Sequence, residues 1–441
     1  MNRLLPLAAL AAVSLVPLRA DAPHVYAIRG ARIVTAAGAP IESGTIVIRQ
    51  GIIESVSASV SVPPEAAVIE GAGLTVYPGL IDLGNTRAAE QPTPPQPQNV
   101  RTTAELERWK RALILKPQAR AADAVKVDDA ELTKLASSGV TSVLALPWGD
   151  VISGQSALVN VVAPPDDPQI GNIVEGRRGL IVVRSPVALH VSFPDRPRVG
   201  ANAYPESLMG VIAFVRQAFL DAQHYGVTKG TDDPALDAMQ PAIDGRLPVA
   251  FEANRAREIL RALKMAKELK LQPIVTGARE AANVAADLKA QNVHVIYSLN
   301  YPVRPRQLAP DADETLDALR GRADAPKGPG ALAKAGVTFA FASAGLSDPK
   351  DFVKNAGRAV AAGLPEDAAV RALTIAAATI AGAGNRLGSI EKGKVANLVV
   401  TDGGLFAEKT TIKRVFVEGR PVALEASSAA PTGRGRGRGQ H

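Results

Sequence analysis

The stretch VYPGLIDLGNT, residues 76–86, marks the point at which the chain changes from one pattern of secondary structure to another. Before it, from Val25 to about Val76, short runs of alternating apolar residues are broken by turns such as Gln50-Gly51, and this pattern predicts a small β unit. After it, short apolar strands alternate with amphipathic helices, which is typical of a parallel α/β sheet or barrel. The stretch therefore predicts the first strand of an α/β domain that follows a β unit.

The α/β region contains eight short apolar segments that have the length of strands. They are VYPGLIDL (76–83), TSVLAL (141–146), LVNVV (158–162), LIVVRS (180–185), LPVAFE (247–252), PIVTG (273–277), VHVIYSL (293–299) and VTFAFAS (337–343). Eight strands that alternate with helices predict a closed (β/α)8 TIM barrel over residues 77–385. In such a barrel, chemistry takes place where the strands end and the following loops begin.

A second β segment closes the folded part of the chain at residues 386–425. In it, IEKGKVANLVVTDGGLF and TIKRVFVEGRPV read as strands rich in Val and Ile that are broken at glycine. Neither this segment nor residues 23–76 has enough strands to bury an apolar face alone. We therefore predict one small β-sandwich domain that is built from both ends of the chain.

The composition limits the location and the chemistry. Residues 1–22 combine a basic start, an apolar run too short to span a bilayer and the triplet Ala20-Asp21-Ala22. This pattern predicts a signal peptide, and therefore a periplasmic or secreted protein. After cleavage, no stable membrane span is expected. The 441 residues include no cysteine, which excludes disulfides and thiolate metal sites. Residues 426–441 form an Arg-Gly tail that is expected to be disordered. Because this tail carries part of the net charge of +7, the rest is mildly basic and no nucleic-acid partner is predicted.

Four stretches resemble a known family. They are VYPGLIDL, SSGVTSVLALPWGDVISGQSALVN, LPVAFEANRAREILRALKMAKEL and RALTIAAATIAGAGNRLGSIEKGKVANLVVTDGGLF. With these, the chain resembles the amidohydrolase superfamily over nearly its whole length after the leader, and is most like imidazolonepropionase-like and other cyclic-amide hydrolases. The resemblance implies a hydrolase of carbon–nitrogen bonds other than peptide bonds. It also implies zinc or another divalent metal, which lowers the pKa of a bound water.

The resemblance places the metal ligands of the family at positions that hold other residues here. In the family, a run of the form PGLIDxHxH ends in two histidines, and Gly84 and Thr86 stand in their places. Glu252 and Gly277 stand where the histidines of strands five and six are expected, and Ala344 stands where the aspartate of strand eight is expected. The five histidines of the chain show no HxH or HExxH spacing. We therefore predict no metal centre and no cofactor.

Polar side chains after the predicted strands are the remaining candidates for chemistry. The carboxylates of Glu252, Asp82 and Asp348 could act as general acid and base, or hold a hard cation. The alternative is structural, because carboxylates beside arginines at strand ends usually form ion pairs and helix caps. The predicted ligand-binding residues are Asn85, Arg255, Arg279 and Asn300.

Three hypotheses about function follow. The first is an exported amidohydrolase-like pseudoenzyme that has lost its metal centre and binds a small polar ligand or an active amidohydrolase paralogue. The second is an active hydrolase with a non-standard carboxylate site, built on Glu252 together with Asp82 or Asp348. The third is a structural or interaction subunit, such as a homo-oligomer or the partner of an active paralogue.

Overall fold

The computed structural model describes residues 24–90, 100–126, 129–161, 180–197, 204–228 and 232–424. The predicted signal peptide at residues 1–22 and the predicted tail at residues 426–441 lie outside the described residues. Within the described ranges, no helix has both the length and the apolar character that a membrane crossing requires.

Strands and helices alternate through most of the described residues. The strands are β1 Val25–Ile33, β2 Ile41–Arg49, β3 Ile52–Ser57, β4 Ala67–Glu70, β5 Thr75–Pro78, β6 Leu80–Asn85, β7 Val140–Ala145, β8 Ile152–Gln155, β9 Ala157–Val161, β10 Leu180–Arg184, β11 Leu189–Val191, β12 Val249–Ala253, β13 Pro273–Gly277, β14 His294–Ser298, β15 Phe339–Ala342, β16 Leu398–Thr401, β17 Ile412–Val417 and β18 Arg420–Pro421. The helices are α1 Thr103–Ile114, α2 Ala121–Ala124, α3 Asp129–Ser137, α4 Leu208–Thr228, α5 Pro234–Ile243, α6 Ala256–Leu269, α7 Ala285–Ala290, α8 Leu316–Asp324, α9 Gly328–Lys334, α10 Lys350–Ala361, α11 Glu366–Leu373 and α12 Ile375–Ile380.

Strands from both ends of the chain lie in one eight-stranded sheet. Its order is β18-β17-β16-β5-β1-β2-β3, and β4 pairs with β1 outside this order. β5 joins the two parts, since it lies parallel to β1 and antiparallel to β16, with Thr75 opposite Thr401. Ile28 and Ile46 from the first part share one apolar cluster with Phe416 from the second. The two β segments therefore bury their apolar side chains against each other.

The stretch VYPGLIDL forms two strands instead of one. Its first part, β5, belongs to the sheet of chain ends, whereas β6 lies parallel to β7 with Leu80 opposite Val140. Gly79 lies between the two strands, at a point where a Cβ atom would lie 2.1 Å from Thr141 Oγ1. The chain passes from one sheet to the other at this glycine, and no larger residue fits there.

The α/β region contains two further sheets. One has the order β10-β9-β7-β6, and the other has the order β15-β14-β13-β12-β11-β8. β11 to β15 are mutually parallel. The two sheets meet at β6 and β15, where the main-chain N–H of Ser343 donates to Asp82 Oδ1 at 2.8 Å. Within the described residues, the hydrogen-bonded ladders do not join into one closed sheet.

The structure corrects the predicted direction of the third strand of the α/β region. Residues 158–161 of the predicted segment LVNVV lie in β9, which pairs antiparallel with β7, Ala145 lying opposite Ala157. A parallel neighbour would need a crossover of a dozen or more residues, whereas only residues 146–156 separate the two strands. The interpretation of this segment as a parallel strand is therefore wrong, and two short strands, β8 and β11, were not predicted.

A buried polar network connects the four-stranded sheet with the sheet of chain ends. Ser142 Oγ donates to Asn160 Oδ1 at 2.7 Å, and Asn397 Nδ2 donates to the same oxygen at 3.0 Å. Asn160 Nδ2 donates in turn to the carboxylate of Glu418. Because buried polar groups are costly unless their hydrogen bonds are made, this network fixes how the two parts pack.

Candidate functional site

A cavity of about 500 Å³ lies at the carboxyl ends of the strands of the α/β region. This volume is within the range of small-molecule sites, roughly 300 to 1,000 Å³. Residues on or just after β6, β7 and β11 to β15 line it, because parallel strands end at the same edge of a sheet. The polar lining includes His190, Glu252, Asn254, Thr276, Arg279 and Asn300.

The five positions that the resemblance assigns to metal ligands all line this cavity. They are Gly84, Thr86, Glu252, Gly277 and Ala344. At Gly84, an added Cβ would lie 2.7 Å from the Cβ of Ala342, a distance that real Cβ atoms essentially never show. The backbone of β6 and the strand beside it therefore pack at a spacing that only glycine permits.

At Gly277, both the backbone conformation and a neighbouring atom disfavour a residue with a side chain. Its φ is +81°, a left-handed conformation that residues with a side chain rarely adopt. An added Cβ would also lie 2.6 Å from Asn254 Oδ1. A histidine at Gly84 or at Gly277 would thus require neighbouring atoms to move.

The metal implied by the resemblance can be tested against the donors that are present. A zinc site in a protein usually takes three or four nitrogen, oxygen or sulfur ligands. Across the described ranges, no group of three His, Asp or Glu side chains is placed to hold a metal ion. The imidazole of His190 and the carboxylate of Glu252 line the cavity, but Gly84, Gly277 and Ala344 provide no side-chain donor. The described residues that line the cavity therefore do not fit the metal centre of the superfamily.

Asp82 lies within β6, is 1% exposed, and has a fully hydrogen-bonded carboxylate. Oδ1 accepts from the main-chain N–H groups of Gly84 (3.1 Å) and Ser343 (2.8 Å). Oδ2 accepts from Asn85 Nδ2 (3.2 Å) and Ser343 Oγ (2.6 Å). Burial raises the pKa of Asp82, and these hydrogen bonds oppose that rise. Asp82 does not line the cavity, and it connects β6 to the residue that follows β15.

Three other predicted site residues do not line the cavity, and their contacts are those of turns and caps. Asn85 Oδ1 accepts from the main-chain N–H groups of Arg87 (2.8 Å) and Ala88 (3.0 Å). Asp348 Oδ1 accepts from the N–H of Lys350 (2.9 Å) at the start of α10. Arg255 is exposed at the start of α6, where its N–H donates to Glu258 Oε2 at 3.0 Å. The structure does not bring these residues together with Glu252.

Glu252 lies on β12, and its side chain lines the cavity. Among the described residues, none donates a hydrogen bond to its carboxylate or forms an ion pair with it. The walls of the cavity limit its hydration, which raises the pKa of Glu252, while the positive charge of Arg279 opposes this rise and Glu258 adds to it. Glu252 is therefore a carboxylate whose acceptor capacity is free.

Arg279 and Asn300 are the two predicted ligand-binding residues that line the cavity. Arg279 Nε donates to Asn254 Oδ1 at 3.1 Å, so this asparagine holds the guanidinium. The main-chain N–H of Asn300 donates to Ser298 Oγ at 3.2 Å. Both side chains are exposed to the solvent that enters the cavity.

His190 also lines the cavity, and sequence reasoning missed it as a site residue. It is the middle residue of β11, whereas the predicted strand LIVVRS ends at Ser185. Its Nε2 atom is buried without a hydrogen-bond partner among the described residues, and burial lowers the pKa of His190 to about 4. The signal in the sequence is alternation, because Leu189 and Val191 are buried on one face of β11 and His190 points to the other.

Comparisons with known proteins agree with this architecture. Residues 234–422 match the model of the amidohydrolase family. Among solved structures, the chain is similar to an amidohydrolase from Thermotoga maritima MSB8, with a TM-score of 0.72 and 22% identity over 90% of this chain and 100% of that chain. A comparison with curated proteins finds no significant match.

Two other similar structures are named for activities. One is a prolidase complexed with N-methylphosphonate-L-proline, with a TM-score of 0.56 and 19% identity over 91% of this chain and 100% of that chain. The other is phenylurea hydrolase B, with a TM-score of 0.51 and 16% identity over 90% of this chain and 96% of that chain. At these identities the similarity shows the fold. Residues 234–422 thus carry the sequence pattern of the amidohydrolase family, and the fold of the chain is similar to that of a solved amidohydrolase.

Proposed function

We propose that this protein binds a small polar ligand in the cavity at the strand ends and does not use the metal-activated water of its superfamily. The observation that carries the proposal is the crowding at Gly84 and Gly277, where Ala342 and Asn254 occupy the space that a ligand side chain would need. The cavity itself is retained, and polar side chains line it. The site is thus a pocket whose chemistry has changed.

The architecture proposed with this function is a (β/α)8 barrel beside a small β-sandwich made from the chain ends. The similarity to the Thermotoga maritima amidohydrolase over 90% of the chain supports it. In the proposed architecture, the two sheets that meet at β6 and β15 are two parts of one barrel wall. Glu252, Arg279 and Asn300 then lie at the barrel face where enzymes of this fold place their chemistry.

The first experiment measures the metal content of the purified protein. The protein is incubated with equimolar Zn²⁺, washed in chelator-free buffer and examined by elemental mass spectrometry. We expect metal at trace level, since the cavity offers too few donors. Near-stoichiometric metal that survives washing, or robust metal-dependent turnover of a cyclic amide or a dipeptide, would overturn the proposal.

The second experiment measures ligand binding directly. Small polar compounds, including cyclic amides and dipeptides, are screened by thermal shift, because a ligand that binds the folded state raises its melting temperature. An Asn300→Ala variant should reduce the shift of compounds that bind in the cavity, whereas Asp348→Ala, outside the cavity, should not. A screen without any stabilising compound counts against the proposed function.

A second candidate is a hydrolase in which Glu252 acts as general acid and base. The observation that favours it is the pair of shifted groups in one cavity, Glu252 with a raised pKa and His190 with a pKa lowered to about 4. In this case Glu252→Gln should abolish turnover while leaving the melting temperature nearly unchanged, and turnover should persist in EDTA. Loss of turnover in EDTA would rule out this metal-free scheme.

We also propose export to the periplasm or the medium, which rests on the leader-like sequence of residues 1–22. The test is amino-terminal sequencing of the protein from separated cell fractions. A protein that lacks the leader in the exported fraction is the expected result. Full-length protein confined to the cytosol would contradict it.

A further inference from the structure

We propose that the ligand is a small zwitterion, whose anionic group is bound by Arg279 and whose cationic group is bound by Glu252. This inference rests on the proposed ligand-binding function and names the chemical class of the ligand. It assigns a separate role to each of two charged side chains that, among the described residues, line the cavity.

Among the described residues that line the cavity, Arg279 carries a positive charge and Glu252 a negative one, and the two do not form an ion pair. Arg279 and Glu252 face the same space, and His190 is neutral at pH 7 because burial disfavours its charged form. Within the described part of the chain, no ion pair joins Arg279 to Glu252 or either of them to another residue. Glu252 is partly desolvated and Arg279 is exposed to solvent, so a ligand with both complementary charges can bind each side chain without first breaking an ion pair.

Arg279 is held in a position suited to an anion. Its Nε donates to Asn254 Oδ1 at 3.1 Å, and its main-chain carbonyl accepts from the hydroxyl of buried Tyr297 at 3.3 Å. The two terminal nitrogens of the guanidinium have no partner among the described residues. A guanidinium whose terminal nitrogens are free can bind a carboxylate through two parallel hydrogen bonds.

Gly277 makes this arrangement possible. A Cβ at this position would lie 2.6 Å from Asn254 Oδ1, the same atom that accepts from Arg279. The glycine that stands at a ligand position of the family therefore leaves the space in which Asn254 reaches Arg279. Gly277 thus allows Asn254 to hold the guanidinium of Arg279 in place.

Glu252 provides the opposite end of the site. Its carboxylate accepts no hydrogen bond from the described residues, so its oxygens are available to the N–H donors of an ammonium group. The cavity volume of about 500 Å³ has room for a ligand of the size of an amino acid or a dipeptide. A molecule of this size with separated charges can reach both side chains.

The test is isothermal titration calorimetry on the purified chain with three related probes. L-alanyl-L-alanine carries both charges, N-acetyl-L-alanine keeps only the carboxylate, and L-alaninamide keeps only the ammonium group. We expect the zwitterion to bind most tightly. Each single-charge probe should bind roughly 10- to 100-fold more weakly, because each charge-assisted hydrogen-bonded contact contributes about that factor.

Variants assign each charge to its residue. Arg279→Gln should weaken L-alanyl-L-alanine and N-acetyl-L-alanine by a similar factor and leave L-alaninamide unchanged. Glu252→Gln should weaken L-alanyl-L-alanine and L-alaninamide and leave N-acetyl-L-alanine unchanged. The matched control is Arg255→Gln, an exposed arginine at the start of α6 that does not line the cavity, and it should change none of the three affinities.

A further variant keeps the test informative if Arg279→Gln folds poorly. Asn254→Ala removes the anchor of Arg279 and should weaken the two carboxylate probes by several-fold without affecting L-alaninamide. The inference is overturned if L-alanyl-L-alanine does not bind at millimolar concentration, or if Arg255→Gln has the same effect as Arg279→Gln. If neutral compounds from the thermal-shift screen nevertheless bind, the proposed ligand class is wrong but the proposed ligand-binding function stands. Stoichiometric metal in the purified protein would instead overturn the proposed function itself.

Discussion

Two strands that border the cavity, β6 and β12, use their carboxylates in opposite ways. On the side of β6, Asp82 receives four hydrogen bonds from Gly84, Asn85 and Ser343, and it connects two strands. On the side of β12, Glu252 receives none from the described residues and faces the cavity. Both residues lie on an apolar strand. The number of donors around each carboxylate therefore decides whether it serves the fold or is available to a ligand.

The same contrast appears in the packing of the glycines. Gly84 is crowded by the neighbouring strand through Ala342, so the β6 side is closed against any added side chain. Gly277 is crowded by a polar side chain, Asn254, which itself contacts Arg279. One glycine thus permits close strand packing, and the other permits a polar contact at the site. Four substitutions or titrations can break or sharpen this comparison.

The largest expected effect comes from Asp82→Ala. The substitution leaves buried donors of Ser343, Gly84 and Asn85 without an acceptor, and it should lower the free energy of unfolding by about 3 kcal/mol or more. Urea denaturation measures this loss. Asp82→Asn is the conservative control, and we expect it to lose less because one acceptor oxygen remains. A loss below about 1 kcal/mol for Asp82→Ala would show that the hydrogen bonds are not stabilising.

The next effect is that of Gly84→Ala. Its Cβ would lie 2.7 Å from Ala342 Cβ, and such overpacking should cost about 1–3 kcal/mol. Ala342→Gly in the same chain should recover most of the loss. The control is Gly30→Ala, where φ is +73° and no atom lies within 4 Å of the added Cβ, so only the backbone conformation is penalised. A double variant no more stable than Gly84→Ala would contradict the crowding.

A smaller effect concerns the pH dependence of stability through His190. Its pKa falls from 6.5 to about 4 on folding, so between these values the unfolded state binds more protons than the folded state. Stability should therefore decrease as the pH falls from about 6.5 towards 4. Melting temperatures of the parent chain and of His190→Asn, recorded across this range, measure the contribution. Equal slopes for the two proteins would mean that His190 titrates normally in the folded state.

The smallest effect on stability is expected for Glu252→Gln. Because the pKa of Glu252 is raised in the folded state, its ionisation at neutral pH opposes folding. The variant should be as stable as the parent chain or slightly more stable near pH 7, and this difference should shrink as the pH falls below the ordinary range of a glutamate. A marked loss of stability near pH 7 would place Glu252 with Asp82 among the structural carboxylates.

The sequence predicted the second half of the α/β region well. PIVTG matches β13, and LPVAFE, VHVIYSL and VTFAFAS overlap β12, β14 and β15, because parallel strands that are buried on both faces are continuous apolar runs. The first half was harder to predict. An apolar run does not reveal the direction of its strand, so LVNVV was interpreted as parallel, and the three residues of β11 are too few to give a clear pattern.

For the site, the sequence identified the strand ends but could not distinguish the residues that line the cavity from those that cap helices. Arg279 and Arg255 both follow a strand, yet only Arg279 lines the cavity, because Arg255 lies at the start of α6. The difference depends on the backbone after each strand, since Arg279 follows Gly277 with its φ of +81°, whereas Arg255 leads directly into a helix. Such a three-dimensional dependence has no signature in residue type alone.

The pairing of β5 with β16 also constrains the order in which the protein can be completed during synthesis. Thr401 Oγ1 donates to the carbonyl of Thr75 across 326 positions of the chain. The ribosome produces β1 to β5 long before β16 exists, so one edge of β5 stays unpaired while most of the protein is being made. An unpaired edge is a template for wrong pairing with other chains. The nascent chain thus carries an aggregation-prone strand until its last part emerges, and a chain shortened before Leu398 keeps that edge permanently open.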